Sequence, residues 1–495
     1  MSRILAIDEG TTGVTSSIAD SKLRIIASSS IDFPQHFPKP GWVEHDLSDI
    51  WDCVQRTIKS LAARTDLKKL AAIGITNQRE TLCFWDKLTG RPLTRALVWQ
   101  DRRTAAMCAG LKAKGLETLF RKRTGLLLDP YFSATKASWA FKNWGVLRSA
   151  HRQGRLAAGT IDSYLVARLS GARAHVTDPS NACRTLVYDI HKHRWDADLC
   201  KLLGLPVDIW PQVQASDSVF ARSKGVPGLP DGIPINGILG DQQAALFGQA
   251  CLKPGQAKCT YGTGAFIVFN TGAKPIISHH RLLSSIAWQL KSSGYTYMLE
   301  GSAFVAGAAV QWLRDGLGII SSAEEIETLA TRVPSSNGVV FVPAMTGLGA
   351  PYWQPKATAL LTGITRGTTK AHIARAVLEG IAFQVSDLLA AMHKDTGLRL
   401  KNLNVDGGAA ANDLLMQFQA DILGIRLQRP RNLETTSLGT IFVAGLGVGI
   451  WPDTQTLVKT WKKDRDFTPG MTPTQRDRTL QRWRQAIRQV ASAWD

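Results

Sequence analysis

The strongest constraint on this chain is a pattern that occurs twice: an apolar strand, a tight Gly/Thr loop, and an apolar strand that returns. The first copy runs from Ile4–Ile7 through Asp8-Glu9-Gly10-Thr11-Thr12-Gly13 into Val14–Ile18. The second runs through Thr260-Tyr261-Gly262-Thr263-Gly264 into Ala265–Phe269. Two apolar runs around a Gly-rich tip read as a β-hairpin. Glycine lets the tip turn sharply, and threonine hydroxyls with closely spaced backbone N–H groups suit an anion. A carboxylate at a strand end, as at Asp8, suits Mg²⁺ or its bound water beside nucleotide phosphates. Taken alone, the first copy also fits a plain Gly-rich hairpin with a capping Asp. The repetition argues for two duplicated α/β domains closing on a nucleotide, and 495 residues exceed what one core usually supports.

Between the copies, an apolar run from Ile233 to Leu239 leads into Gly240-Asp241-Gln242-Gln243. Asp241 therefore sits where a strand gives way to a helix, and a carboxylate there projects into the crevice that α/β folds use for ligands. A candidate base followed shortly by a candidate phosphate loop points to phosphoryl transfer. The turn Lys253-Pro254-Gly255 separates them and is the expected domain junction, giving domains 1–252 and 253–495.

Other stretches add candidates and alternatives. Asn77-Gln78-Arg79-Glu80 lies between two strand-like runs; Arg79 beside Glu80 offers a donor fork and an acceptor to a polyhydroxylated ligand, or is a solvated loop. Trp99 and Tyr131 are core aromatics or ligand walls. Ala303–Leu313 reads as a helical run containing Gly307 and Gln311. Leu403–Asp406 reads as a strand, after which Gly407-Gly408 through Asn412 enters a helix reaching Leu423. A Gly-Gly turn admits a ligand close to the backbone, and a helix N-terminus favours anions. The spacing is not Gly-x-Gly-x-x-Gly, so a Rossmann site has no support.

The net charge of +19 invites a nucleic-acid partner, but its distribution argues against one. Near the C-terminus Leu480, Trp483, Ile487, Val490 and Trp494 recur at helical spacing, and Arg476, Arg478, Arg482, Arg484 and Arg488 mostly fall on the opposite, solvated face. Seven dispersed cysteines without a Cys-x-x-Cys pair fit reduced thiols in a cytoplasm. Asp8 interrupts the first apolar run, so no secretory signal is expected. The longest apolar windows are too short to span a bilayer, so no stable membrane insertion is expected.

Taken together the blocks resemble the FGGY family of carbohydrate kinases over essentially the whole chain. The resemblance rests on Asp8-Glu9-Gly10-Thr11-Thr12, Lys39–Asp46, Ala71–Glu80, Asp129–Ser133, Gly240–Gly248, Tyr261–Gly264, Thr346–Trp353, Asp406–Ala409 and Met416–Gln419 in one order. It implies an α/β, actin-like (ribonuclease-H-like) ATPase fold, two duplicated domains flanking a catalytic cleft. The branch it is most similar to phosphorylates glycerol with ATP and Mg²⁺, in a homodimer or homotetramer. The resemblance implies polyol contacts at Arg79, Glu80, Trp99, Tyr131, Asp241, Gln242 and Phe266, with Asp241 the general base. It implies nucleotide contacts at Thr11, Thr12, Thr263, Gly307, Gln311, Gly408 and Asn412, and Asp8 near the metal. Two positions at the first hairpin depart from the family pattern, and Ala137 and Ala140 stand where larger apolar residues are usual, an expected change of packing. Thr15 stands where members carry Arg, and Glu9 where Gln is usual, so an extra negative charge is expected beside the first hairpin. The alternatives are a related kinase acting on another sugar or polyol, or a weakly active paralogue that binds glycerol or nucleotide as a regulator.

Overall fold

Both hairpins form, and each is the centre of its own sheet. The computed structural model describes residues 2–354 and 356–492, so Trp494 lies outside the described residues. In the first sheet β1 (Arg3–Glu9), β2 (Gly13–Asp20) and β3 (Ile25–Asp32) make an antiparallel meander, and β4 (Leu70–Asn77) lies parallel to β1. β5 (Val219–Arg222) closes the edge against β6 (Pro234–Gly240), which is parallel to β4. The order is β5-β6-β4-β1-β2-β3.

The second sheet contains β7 (Ala257–Tyr261), β8 (Ala265–Gly272), β9 (Leu283–Leu290), β10 (Gly294–Ala303), β11 (Asn402–Asp406), β12 (Arg426–Pro430) and β13 (Lys463–Phe467). Their order is β9-β10-β8-β7-β11-β12-β13. In both sheets the first hairpin strand lies between its returning partner and a parallel crossover strand. The expected duplicated α/β architecture is present. Its consequence is a shared rim: Asp8 is level with Thr76, Thr76 with Leu239, and Thr260 with Asp406.

Parallel neighbours need a long crossover, and helices supply it. α1 (Leu47–Ala62) bridges β1–β3 to β4; Asp46 caps it by accepting from the Ser48 N–H at 2.8 Å, and Ile50, Val54, Ile58 and Leu61 are fully buried. α2 (Asp241–Gly248) leaves the end of β6, and α3 (Gly307–Asp315) leaves the end of β10. The expected helical run from Ala303 starts later, because Ala303 still pairs with Ala265 in the sheet. α4 (Lys370–Thr396) covers the second sheet. Gly408–Ala411 is a short 3₁₀ turn rather than the first turn of a longer helix, and α5 (Asp413–Leu423) begins after it. α6 (Thr435–Gly447) and α7 (Pro473–Ser492) complete the set; along α7 Trp483, Ala486, Ile487 and Val490 are buried and Arg478, Arg482, Arg484 and Arg488 exposed, as their spacing predicts.

One crossing ties the halves together. α6 belongs to the second half of the chain but packs on β1, β4 and β6 of the first sheet and against α2. A Cβ at Gly439 would collide with the Ala244 carbonyl, and one at Gly248 with the Thr435 carbonyl. The two helices therefore cross with backbone against backbone, which only glycine permits at both points.

Candidate active site

The rim of the first sheet presents Asp241. It is the first residue of α2, its side chain one third exposed, with its Oδ1 accepting the Gln242 N–H at 2.6 Å. The same oxygen lies 3.0 Å from Arg79 Nε. Arg79 reaches it because residue 240 is glycine; a Cβ there would lie 2.7 Å from the Arg79 side chain.

The Arg79–Glu80 stretch is not a solvated loop. Both side chains are about 2% exposed. Glu80 holds φ at +62°, a conformation costing about 1–3 kcal/mol for a non-glycine residue, and tertiary contacts hold it there. Its carbonyl accepts from Ser133 Oγ at 2.8 Å and its Oε1 from Arg184 Nε at 2.5 Å. Arg79 Nη1 in turn donates to Glu300 Oε2 at 2.5 Å and to Gln243 Oε1 at 3.2 Å, and Arg184 Nη2 donates to Glu300 Oε1 at 3.0 Å. The result is a buried chain of alternating charge: Asp241, Arg79, Glu300, Arg184, Glu80.

Burial alone would push the Glu300 carboxyl up. Arg184 and Arg79 overcome that and hold it at about 2. Burial wins at Glu80, whose carboxyl stays above its ordinary value despite Arg184 and Arg79. Arg184 and Glu300 were not legible as site residues. Arg184 sits in a stretch that reads only as a polar loop, and Glu300 is one acidic residue within a strand.

The aromatic candidates gather beside this chain. Trp99 and Tyr131 meet edge to face with ring centroids 5.5 Å apart, and the Arg184 guanidinium lies 5.7 Å from the Tyr131 ring. Trp99 Nε1 donates to Thr11 Oγ1 at 2.9 Å, so the aromatic wall is fastened to the first hairpin. Phe266 comes from the second sheet. It pairs across with Thr260 and Ser302, while Val268 one rung below pairs with Lys258 and Glu300. Directly opposed residues share a face, so Phe266 stands on the face that carries Glu300 and Lys258 towards the first sheet. Gln242 is buried, and its Oε1 accepts from Lys258 Nζ. Burial pulls the Lys258 ammonium below its ordinary value.

At the first hairpin, Asp8 faces Thr15 across β1–β2. Burial, then the negative charges of Asp241 and Glu434, push its carboxyl up to about 7, with the Ser437 hydroxyl partly opposing them. Of these three carboxylates only Asp241 is paired with an arginine, which leaves a negative focus around Asp8. Such a focus suits a divalent cation held by one or two carboxylates, water and phosphate. Among the described residues no group of three or more His, Cys, Asp or Glu side chains is arranged to hold a metal by itself. Glu9 corrects an expectation. Its side chain is fully buried, Oε1 accepts from Gln78 Nε2 at 2.9 Å, and Oε2 has no partner. Burial pushes its carboxyl well above the usual range, which opposes the extra negative charge expected beside the hairpin. Thr15 spends its hydroxyl on Ser30 Oγ, 2.9 Å away. Thr12 leaves its side chain exposed at the tip while its carbonyl accepts from the Phe33 N–H.

At the second hairpin the N-terminus of α3 folds onto the loop. Gly307 N–H donates to the Gly262 carbonyl at 2.9 Å and Ala308 N–H to that of Thr263 at 3.1 Å. A Cβ at Gly307 would stand 2.7 Å from the Gly262 oxygen, so glycine is required. Gln311 follows one turn later and is exposed. Gly407 has φ +85° and lies against the Tyr261 backbone, leaving Gly408 exposed beside the same loop. Asn412 spends its side-chain oxygen on the Leu415 N–H at 2.8 Å as the cap of α5. The structure thus brings Thr263, Gly307 and Gly408 around one loop, with Gln311 and Asn412 on the helices that start there.

Comparisons with known proteins identify the family. The model of the FGGY family of carbohydrate kinases, N-terminal domain, matches residues 3–248, and that of its C-terminal domain matches residues 257–448. The chain belongs to the FGGY family of carbohydrate kinases. A glycerol kinase of Myxococcus xanthus is 53% identical over 489 residues, covering 98% of this chain and 98% of that protein. One of Bdellovibrio bacteriovorus is 51% identical over 489 residues, covering 98% and 99%. Among solved structures, Plasmodium falciparum glycerol kinase with ADP superposes with a TM-score of 0.93 at 35% identity, covering 99% of this chain and 98% of that one. A gluconate kinase from Lactobacillus acidophilus at 22% identity and TM-score 0.89, covering 100% and 99%, shares the FGGY fold.

Proposed function

We propose that the chain transfers the γ-phosphate of ATP to glycerol, giving sn-glycerol 3-phosphate and ADP. The observation that carries the reading is the partly exposed Asp241 carboxylate at the strand-to-helix rim, oriented through one oxygen by Arg79 and the Gln242 N–H. That leaves its other oxygen to accept the proton of a terminal hydroxyl as it attacks phosphorus.

Arg79 and Glu80 bond the remaining hydroxyls, while Trp99, Tyr131 and Phe266 enclose the carbon edge and exclude water. Gln242, held by Lys258, shapes the inner end of this pocket. The Gly262–Gly264 loop, the start of α3 and the Gly407–Gly408 turn receive the nucleotide, with Gln311 and Asn412 at its flanks. The tip Gly10–Thr12 approaches the phosphates from the other sheet. Asp8 is the residue that would hold Mg²⁺, directly or through its waters, and the ion would offset phosphate charge there. Little covalent work is left to the protein, and in-line positioning with charge stabilisation supplies most of the rate. We place the division of labour between 1–252 and 253–495, and assign the chain to the cytoplasm, where its seven free, buried cysteines stay reduced.

The test is ADP release in the presence of glycerol, run beside Asp241→Asn and a panel of tetritols, pentitols and ketopentoses. Turnover with glycerol that Asn abolishes is expected. A preference for a longer polyol or ketose would move the reading to another sugar kinase, and no turnover with any of them would leave a binding protein.

A further inference from the structure

A second concavity lies against the first turn of α6. It has a volume of 210 Å³ and takes its walls from both halves of the chain. Lys22 and Arg24 come from the β2–β3 turn, Arg431 from the end of β12, and Lys462 from the segment before β13. Arg24 is paired with Asp20 at 2.7 Å. Among the described residues, Lys22, Arg431 and Lys462 make no salt bridge, whereas their neighbours Arg429 and Lys463 do. Trp461 contributes an aromatic wall held by its Nε1–Gln249 Oε1 bond of 3.3 Å. The floor is Gly248, Thr435 and Leu438, where α2 and α6 cross backbone to backbone.

We propose that this cleft is a regulatory site for a small phosphate or pyrophosphate-bearing anion. Three unpaired cations from three separated segments have no structural partner to explain their convergence, and each retains full capacity for an oxyanion. Lysine and arginine together with an apolar and aromatic floor fit a phosphorylated organic molecule better than a bare inorganic ion. The connection to catalysis is the first turn of α6. Thr435 and Leu438 line the cleft, and the helix they begin packs on β1, β4 and β6 of the first sheet. Thr435 also donates to Asp406 Oδ2 at 2.5 Å, so that turn joins the second sheet to the rim of the first. An anion drawing Arg431 and Lys462 towards Lys22 therefore biases both the crossing of the halves and the packing of α6 on β1, the strand that carries Asp8.

The experiment uses the whole chain with the catalytic cleft filled by glycerol and a non-hydrolysable ATP analogue. Inorganic pyrophosphate and glycerol 3-phosphate are titrated separately by calorimetry at fixed ionic strength. One further equivalent of anion is expected to bind, with the dissociation constant raised about tenfold or more by Lys462→Glu and by Arg431→Glu. Lys114→Glu, remote from the cleft and exposed, controls for net charge. Tighter binding of glycerol 3-phosphate than of pyrophosphate identifies an organic monoester as the ligand class, and the reverse order a polyphosphate. Absence of a further equivalent in the filled protein overturns the proposal. So does an equal loss of affinity in Lys114→Glu, or undiminished binding in both cleft variants whose unchanged basal turnover shows them folded.

Discussion

The two Gly/Thr hairpins occupy the same place in their sheets and carry their acidic group differently. In the first, the carboxylate is on the hairpin strand itself, at Asp8, level with Thr76 of the crossover strand. In the second, the order is reversed: Thr260 is on the hairpin strand and Asp406 on the crossover strand beside it. Asp406 is satisfied, accepting from Thr260 Oγ1, from Gln249 Nε2 at 2.8 Å and from Thr435 Oγ1 at 2.5 Å. Among the described residues Asp8 makes no salt bridge, and burial with two carboxylate neighbours raises it to about 7. The same frame thus holds one carboxylate that fastens the sheets and another that burial and like charges leave unpaired at the rim.

The widest separation should come from the rim. Asp241→Asn is expected to lower kcat by about 10²–10⁴-fold with a much smaller change in the KM for glycerol, since a general base acts in the transition state. A loss confined to KM in steady-state kinetics would move the proton acceptor elsewhere. Between the hairpins themselves, Asp8→Asn is expected to cut turnover about 100-fold and leave urea stability unchanged or improved, because it removes like-charge repulsion. Asp406→Asn should do the opposite, costing about 1–3 kcal/mol by leaving hydroxyl donors mismatched, with the larger share of activity retained. If both substitutions act alike in the two assays, the contrast between the hairpins is wrong.

The charge chain sharpens the comparison along the inner end of the cleft. Glu300 is held at about 2 against its ordinary 4.5, so its contribution is fully present above pH 4.5 and fades as pH falls towards 2. A gap of that width between the folded and unfolded carboxyl is worth about 3 kcal/mol. Glu300→Gln should lack that acid-side slope in pH-dependent denaturation, be destabilised by about 3–5 kcal/mol at pH 7, and bind glycerol more weakly because Arg79 loses its anchor. A slope as steep as that of the parent chain would show that other carboxylates govern acid unfolding. The smallest effect is expected at Thr15, level with Asp8 on the neighbouring strand. Thr15→Arg should lower the KM for ATP roughly threefold to tenfold by adding one charge-assisted contact; an unchanged KM would mean that the first hairpin meets the nucleotide without that position.

Much of this was present in the order of residues. A Gly/Thr tip between apolar runs can hardly be anything but a hairpin, and Asp241 after a buried run and Gly240 marks a strand end because the backbone has few other ways to proceed. The period of α7 separated its buried tryptophan from its arginines for the same local reason. What stayed hidden was every contact whose partners are far apart in sequence. Arg79 reads as a loop arginine until Glu300, more than two hundred residues later, is brought within 2.5 Å. Glu9 reads as a free charge until its burial beside Gln78 raises its carboxyl well above the usual range. Local pattern determined the hairpins and the rim aspartate, because backbone geometry and hydrophobic period act over a few residues, and the family was legible as a resemblance of motif blocks in one order. Only the tertiary structure decided which carboxylates are paired, neutral or exposed, because desolvation and Coulomb energy depend on neighbours that the chain reaches only by folding.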